Sequence, residues 1–299
     1  MALNTIATAA MFQKELDKQA IELLTSSFMD ENAGNVIYQG GKEIKIPKMS
    51  LTGLKNYDRS TGYPQGSVTL EYQTVEMTMD RGMKFSLDSM DIDESNFVVS
   101  AGEVLGEFQR TKVVPEIDAY RYSKIAKLAD GNKIEADHDE KKIYKAICDD
   151  IAFVQDKVGE STPLLICING LMRGKLNASS EFSKSINIAD FKVGEVNTRV
   201  RLINDVPIIS VPSDRMYTGY TFKDDSTGGF EKKADAKLIN WIVMPRQAAV
   251  AVCKQDKGKI IIPDENQSAD AWLIAYRKYH DMWVKDSMLS AVRVNVATA

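Results

Sequence analysis

Two strand-like stretches, 36–51 and 67–79, flank the loop GLKNYDRSTGYPQG, and no other feature constrains the fold as strongly. Val36, Ile37, Tyr38, Ile44 and Ile46 precede the loop; Val68, Leu70, Tyr72 and Val75 follow it. Glycine and proline punctuate the segment between them, which reads as a long loop tip. The pair makes a protruding two-stranded ribbon. A ribbon of that kind is marginally stable alone in water, and it has little apolar material to bury against its own domain. It has to lie on something else.

The remainder reads as mixed α+β, with helices and strands in separate blocks and no regular βαβ alternation. Residues 1–31 have helical periodicity through Phe12, Leu16, Ala20 and Leu23, and Asn32-Ala33-Gly34 ends it. A long helix is expected over 91–130, where Phe97, Ala101, Val104, Leu105 and Phe108 form one apolar stripe. Pro115 is expected to interrupt it. A second amphipathic helix covers 139–158. Pro163–Asn169 and Val206–Pro212 are short apolar strands, with a helical turn over 170–176. Residues 219–235 read as a surface loop and 246–252 as an alanine-rich helix. Strands are expected at 238–244, 259–262, 270–285 and 288–296.

The chemistry of sites is sparse. Neither His138 nor His280 has a partner at metal-ligand spacing, and they read as a surface and a strand-edge histidine. Cys148, Cys167 and Cys253 are odd in number and widely spaced, which fits buried thiols better than a disulfide framework. Asp88–Glu94 lacks the central glycine and distal glutamate of a calcium loop. The common hydrolase, nucleotidase and dinucleotide motifs are absent. No catalytic, cofactor-binding or metal-ligating residue is therefore named, and no enzyme activity is expected. Net charge is −4, which gives no basic field for nucleic acid or anionic membrane. No apolar run is long enough to span a bilayer, and no secretory signal is evident.

One charge asymmetry is informative. Lys42, Lys45, Lys48, Lys55 and Arg59 outnumber Glu43 and Asp58 by three within the first half of the ribbon. Phe85–Gln109 has no Lys or Arg, yet carries Asp88, Asp91, Asp93, Glu94, Glu103 and Glu107. A long ribbon projects away from its own root. The expectation is that the ribbon, through Lys48, Lys55, Tyr57, Arg59 and Tyr63, crosses the acidic helix start of a neighbouring copy at Asp91, Asp93, Glu94, Glu103 and Glu107. Charge complementarity of this kind guides register more than it adds affinity.

The order of these elements resembles the tailed-bacteriophage major capsid proteins. The stretch Ser86-Leu-Asp-Ser-Met-Asp-Ile-Asp-Glu94, followed by Gly102–Arg110 and Val113-Val-Pro-Glu-Ile-Asp-Ala-Tyr-Arg121, is similar to their spine-helix region. Ile208-Ile-Ser-Val-Pro-Ser213, followed by a methionine, is similar to a strand of their middle domain. Ile239–Val252 and Trp272–Val284, with Tyr276-Arg277 and His280-Asp281, resemble their C-terminal end.

The resemblance implies the Hong Kong ninety-seven-type fold. Its division here is an N-terminal arm over 1–33, an E-loop ribbon over 34–85 and a peripheral domain with the spine helix over 86–131. An axial domain over 132–244 and the C-terminal sheet of the peripheral domain over 245–299 complete it. It also implies a virion capsid subunit assembled in the host bacterial cytoplasm. Implied partners are other copies in hexamers and pentamers, a separate scaffolding protein, a portal, a decoration protein in some members, and packaged DNA met without sequence specificity. Some members crosslink through a ribbon lysine; Lys48 and Lys55 lie in that element, but the full set is not matched and the crosslink is not carried over. Two other readings stay open from the residues. One is an encapsulin-like compartment shell and the other a cytosolic α+β enzyme.

Overall fold

The computed structural model describes residues 24–35, 37–38, 41–60, 62–88, 101–180, 182, 187–193, 196–225 and 227–298. Of the helix expected over 1–31 only 24–31 are described: 24–27 are coil and turn and not helix, and Phe28–Glu31 (α1) is one helical turn. The other helices are Ala101–Phe108 (α2), Val114–Leu128 (α3), Ile143–Val158 (α4) and Gly170–Ala178 (α5). The strands, in chain order, begin with Ile37–Tyr38 (β1), Glu43–Leu51 (β2), Val68–Glu76 (β3), Met79–Asp88 (β4) and Lys133–Glu135 (β5). Leu164–Asn169 (β6), Asn187–Val193 (β7), Val196–Ile203 (β8), Val206–Val211 (β9) and Tyr220–Phe222 (β10) follow. Phe230–Lys232 (β11), Ile239–Pro245 (β12), Ala249–Ile261 (β13), Ala271–Val284 (β14) and Arg293–Val296 (β15) end the chain.

The main body is a seven-stranded sheet in the order β5-β15-β12-β6-β9-β8-β7. Its centre, LLICIN in β6 and INWIVMP in β12, is apolar without interruption and wholly buried because helices cover both faces. Side chains alternate across it. Leu165, Cys167, Ile242 and Met244 meet Tyr122, Ile125 and Ala126 of α3 on one face. Leu164, Ile166, Ile168, Trp241 and Val243 meet Ile143, Ile147, Ile151 and Leu176 of α4 and α5 on the other.

A second sheet, β13-β14-β4, is antiparallel and carries α2 on one face through Leu105, Ile274 and Tyr276. Strand β4, whose first seven residues fall within the span expected for the ribbon, pairs with β14 from Met79↔His280 to Asp88↔Ala271. Strand β15, within the expected C-terminal sheet, pairs with β12 of the large one.

Several local expectations are corrected. Pro115 does not break the helix. A wide turn over Gln109–Val113, in which the Val114 amide bonds Gln109 O five residues back, joins α2 to α3. The extra residue relieves the clash a proline ring makes with a carbonyl four residues before it. Residues 246–252 belong largely to strand β13; alanine there serves close sheet packing, and Ala248, Ala249 and Ala251 are buried. Residues 219–235 contain the hairpin β10–β11. Residues 286–291 form a 3₁₀ turn, so only 293–296 is strand in the last segment. His280 is buried on the middle strand of its sheet, not at an edge. Of the three thiols only Cys167 is buried; burial pushes it up to about 12.

Candidate assembly interface

The ribbon is β2 and β3, paired from Glu43↔Glu76 at the root to Leu51↔Val68 at the far end. Because side chains alternate, its two faces divide by parity. On one face Ile44 and Ile46, with Val75 across from Ile44, pack against Met77, Tyr279 and Trp283. That face docks on the body of its own subunit. On the opposite face three apolar pairs stand in a row, Pro47↔Tyr72, Met49↔Leu70 and Leu51↔Val68. These are open to solvent: Met49 and Leu70 are 66% and 58% exposed, Leu51 and Val68 63% and 69%. Eight of the eleven exposed large hydrophobic residues among the described ones lie between Met49 and Tyr72, which marks this element as unfinished surface.

The tip is built, not loose. Asp58 and Gly62 bridge, with Gly62 at φ 80°, a conformation that favours glycine. The Asp58 carboxylate accepts from the Ser60 amide and hydroxyl at 2.9 and 2.7 Å. The Lys55 ammonium donates to Gln65 O at 3.2 Å. Tyr57 and Tyr63 meet edge to face with centroids 5.1 Å apart, and Tyr63 is 92% exposed.

The expected site residues are thus distributed as follows. Lys48 lies on the docking face, 3.8 Å from the Asp286 carboxylate. Lys55, Tyr57, Arg59 and Tyr63 are exposed at the tip. Asp91, Asp93 and Glu94 lie outside the described residues. Glu103 and Glu107 are exposed on α2. Glu107 accepts two bonds from Arg110 of the same helical run, which holds its carboxyl below the usual range. Strand pairing also changes the charge of the ribbon. Lys48 stands opposite Glu71, and Glu76 joins Glu43 at the root, so five cations over 41–76 face four carboxylates.

Two buried carboxylates that the sequence reading passed over hold the ribbon root and the segment 25–30 in place. Asp281, fully buried in β14, accepts from the Thr78 amide and hydroxyl at 2.9 Å and from Tyr120 at 2.7 Å, and is paired with Lys124. It ties the residues leaving the ribbon to α3 and β14. Burial and the Asp281 charge push the Tyr120 hydroxyl well up. Asp118, also fully buried, accepts from the amides and hydroxyls of Thr25 and Ser26 and from Arg215 at 2.9 Å. Arg121 closes the same joint with two bonds to Asp30. Both aspartates sit next to large apolar residues in sequence, and only the tertiary partners reveal them.

Among the described residues no group of three His, Cys, Asp or Glu could hold a metal, and no helix is long and apolar enough to cross a membrane.

No protein-family model and no curated protein matches the sequence. Solved structures do match the fold. The capsid of cyanophage P-SCSP1u aligns with a TM-score of 0.62 at 13% identity, over 88% of this chain and 85% of that one. The mature capsid of bacteriophage PhiM1 aligns at 0.58 and 12%, over 86% and 82%. A structure from Mycobacterium phage Ogopogo aligns at 0.55 and 14%, over 90% and 92%. The ribbon, the long helix and the two sheets place this chain in the Hong Kong ninety-seven-type fold of tailed-phage major capsid proteins.

Proposed function

We propose that the protein is the structural subunit of an icosahedral capsid enclosing the double-stranded DNA of a tailed phage, and that it catalyses nothing. Its partners are other copies of itself in hexamers and pentamers. Scaffolding protein, portal and any decoration protein are separate chains, and DNA is met on the inner face without sequence specificity.

The observation that carries this reading is the apolar row Pro47, Met49, Leu51, Val68, Leu70 and Tyr72, which the subunit builds and leaves open. Burying six such side chains is worth on the order of 10 kcal/mol before the cost of ordering is subtracted. Exposed ion pairs at the tip contribute about 0–1 kcal/mol each. The affinity of the ribbon for a neighbour therefore rests on its apolar face, and Lys55 and Arg59 steer. Many copies of one modest contact sum to a stable closed shell.

Expression of the chain with its phage scaffolding protein, followed by electron microscopy, tests the proposal. Closed shells of phage-head size are the expected result. Small cages that hold a co-purifying enzyme point to a cellular compartment. A monomer that stays monodisperse at high concentration sinks the proposal.

A further inference from the structure

The sheet β13-β14-β4 keeps different company on its two faces. The face carrying Ile274, Tyr276 and Phe85 is covered by Leu105 and Phe108. On the other face, register places Lys257, Arg277 and Gly82 in one row across the three strands. The row two residues on holds Lys259, Ala275 and Lys84. Four cations thus surround two small residues. With strands ~4.8 Å apart and rows ~6.8 Å apart, the charges fall within roughly 7 by 10 Å. Gly82 permits this closeness, because a Cβ there would stand 2.7 Å from Tyr276 O. Arg277 holds Asp80 at 2.5 and 2.8 Å. Lys84, Lys257 and Lys259 are exposed and make no hydrogen bond or ion pair among the described residues. Lys257 directly opposite Arg277 is a like-charge pair, which costs stability in an isolated subunit.

The complement is in the same chain's sequence. Asp88, Asp91, Asp93 and Glu94 form an acidic stretch that no cation interrupts, with no Lys or Arg between Phe85 and Gln109. The ribbon is a poor match for that stretch, since its five cations are opposed by four carboxylates. Within one copy Asp88 lies on this same face, four residues along β4 from Lys84, yet Lys84, Lys257 and Lys259 stay unpaired among the described residues. With Arg277 held by Asp80 on the same face, three lysines remain for a partner, and so small a group suits a short carboxylate-bearing peptide better than a duplex. We infer that the basic face of one copy receives the acidic segment 88–94 of a neighbouring copy. The inference rests on the assembly reading above and assigns the partner of a second surface, distinct from the ribbon.

Two charge-inverted chains test it, one K84E/K257E/K259E and the other D91K/D93K/E94K. At 0.15 M salt each alone is expected to yield at least tenfold fewer closed shells than the wild type. A mixture of the two, and one chain carrying both sets, should recover assembly. Circular dichroism of the free subunits checks folding, and K84Q/K257Q/K259Q, which inverts nothing, should still lower the yield severalfold. Normal shells from either inverted chain overturn the inference. So does recovery in the doubly inverted chain without recovery in the mixture, which places the contact within one copy. Normal shell yield with loss of retained DNA also overturns it and gives the face to the genome. A wild-type chain that never forms shells overturns the assembly reading and this inference with it. Wild-type shells with unaffected variants overturn this inference alone.

Discussion

Met49 stands directly opposite Leu70 across the ribbon, on the face turned away from the body of the subunit, and both are more than half exposed. Nothing in the subunit's stability asks for this pair. Met49→Glu with Leu70→Lys, an opposite-charge pair across the strands, should leave unfolding free energy within about 0.5 kcal/mol per substitution, as surface changes do. Shell formation should be abolished. Denaturant unfolding and sedimentation of the same preparation separate the two effects, and normal shells from the double variant would contradict the assembly reading.

The root of the ribbon behaves differently. Asp281→Ala removes the acceptor shared by Thr78, Tyr120 and Lys124 and leaves a half-buried ammonium without its carboxylate. Breaking a buried pair of this kind costs about 3–5 kcal/mol. Urea unfolding measures the loss. Amide exchange at Thr78 should accelerate with it, since that amide bonds Asp281 directly.

The ribbon was legible in the sequence because its signals are local: alternation in two short runs and glycine with proline between them. The apolar strands β6 and β12 were legible for the same reason. The alanine-rich stretch 246–252 was misread as helix, because alanine favours helices in isolation and only contact with β14 makes it strand. Pro115 was misread because a wide turn upstream absorbs it, and no propensity reports such a turn. The basic face of β13-β14-β4 gathers residues from 84, 257, 259 and 277, nearly two hundred positions apart, so no window of sequence contains it. Asp118 and Asp281 were invisible until their donors from distant segments were in place.

Gly82 tests how tightly β4 and β14 approach. Gly82→Ala brings a methyl to 2.7 Å from a backbone oxygen that cannot swing aside. Overpacking of this sort costs about 1–3 kcal/mol. Gly131→Ala, where nothing lies within 4 Å and φ is ordinary, is the control. It should be neutral or stabilising by up to about 1 kcal/mol. Equal effects from the two variants would refute the close approach.

Acid should weaken the subunit through His280. Its ring is buried, its Nδ1 has no hydrogen-bond partner, and burial, with Arg121, Lys278 and Lys124 nearby, holds it well below the ordinary imidazole range. Asp281, the next residue, is taken up by Lys124 and Tyr120, and the Tyr120 ring meets the His280 ring edge to face with centroids 5.9 Å apart. Folded His280 therefore stays neutral, whereas the unfolded chain takes up a proton below about pH 6.5. The unfolded state binds more protons, so stability is fully present above that pH and falls as acid is added, with a slope approaching about 1.4 kcal/mol per pH unit from this one group. His138, half-buried and shifted the same way, adds a smaller share. Denaturant unfolding of the wild type and of His280→Leu at pH 7, 6 and 5 reads the difference. The variant should lose most of the slope in that window, and parallel curves would show that the buried ring is not the group responsible.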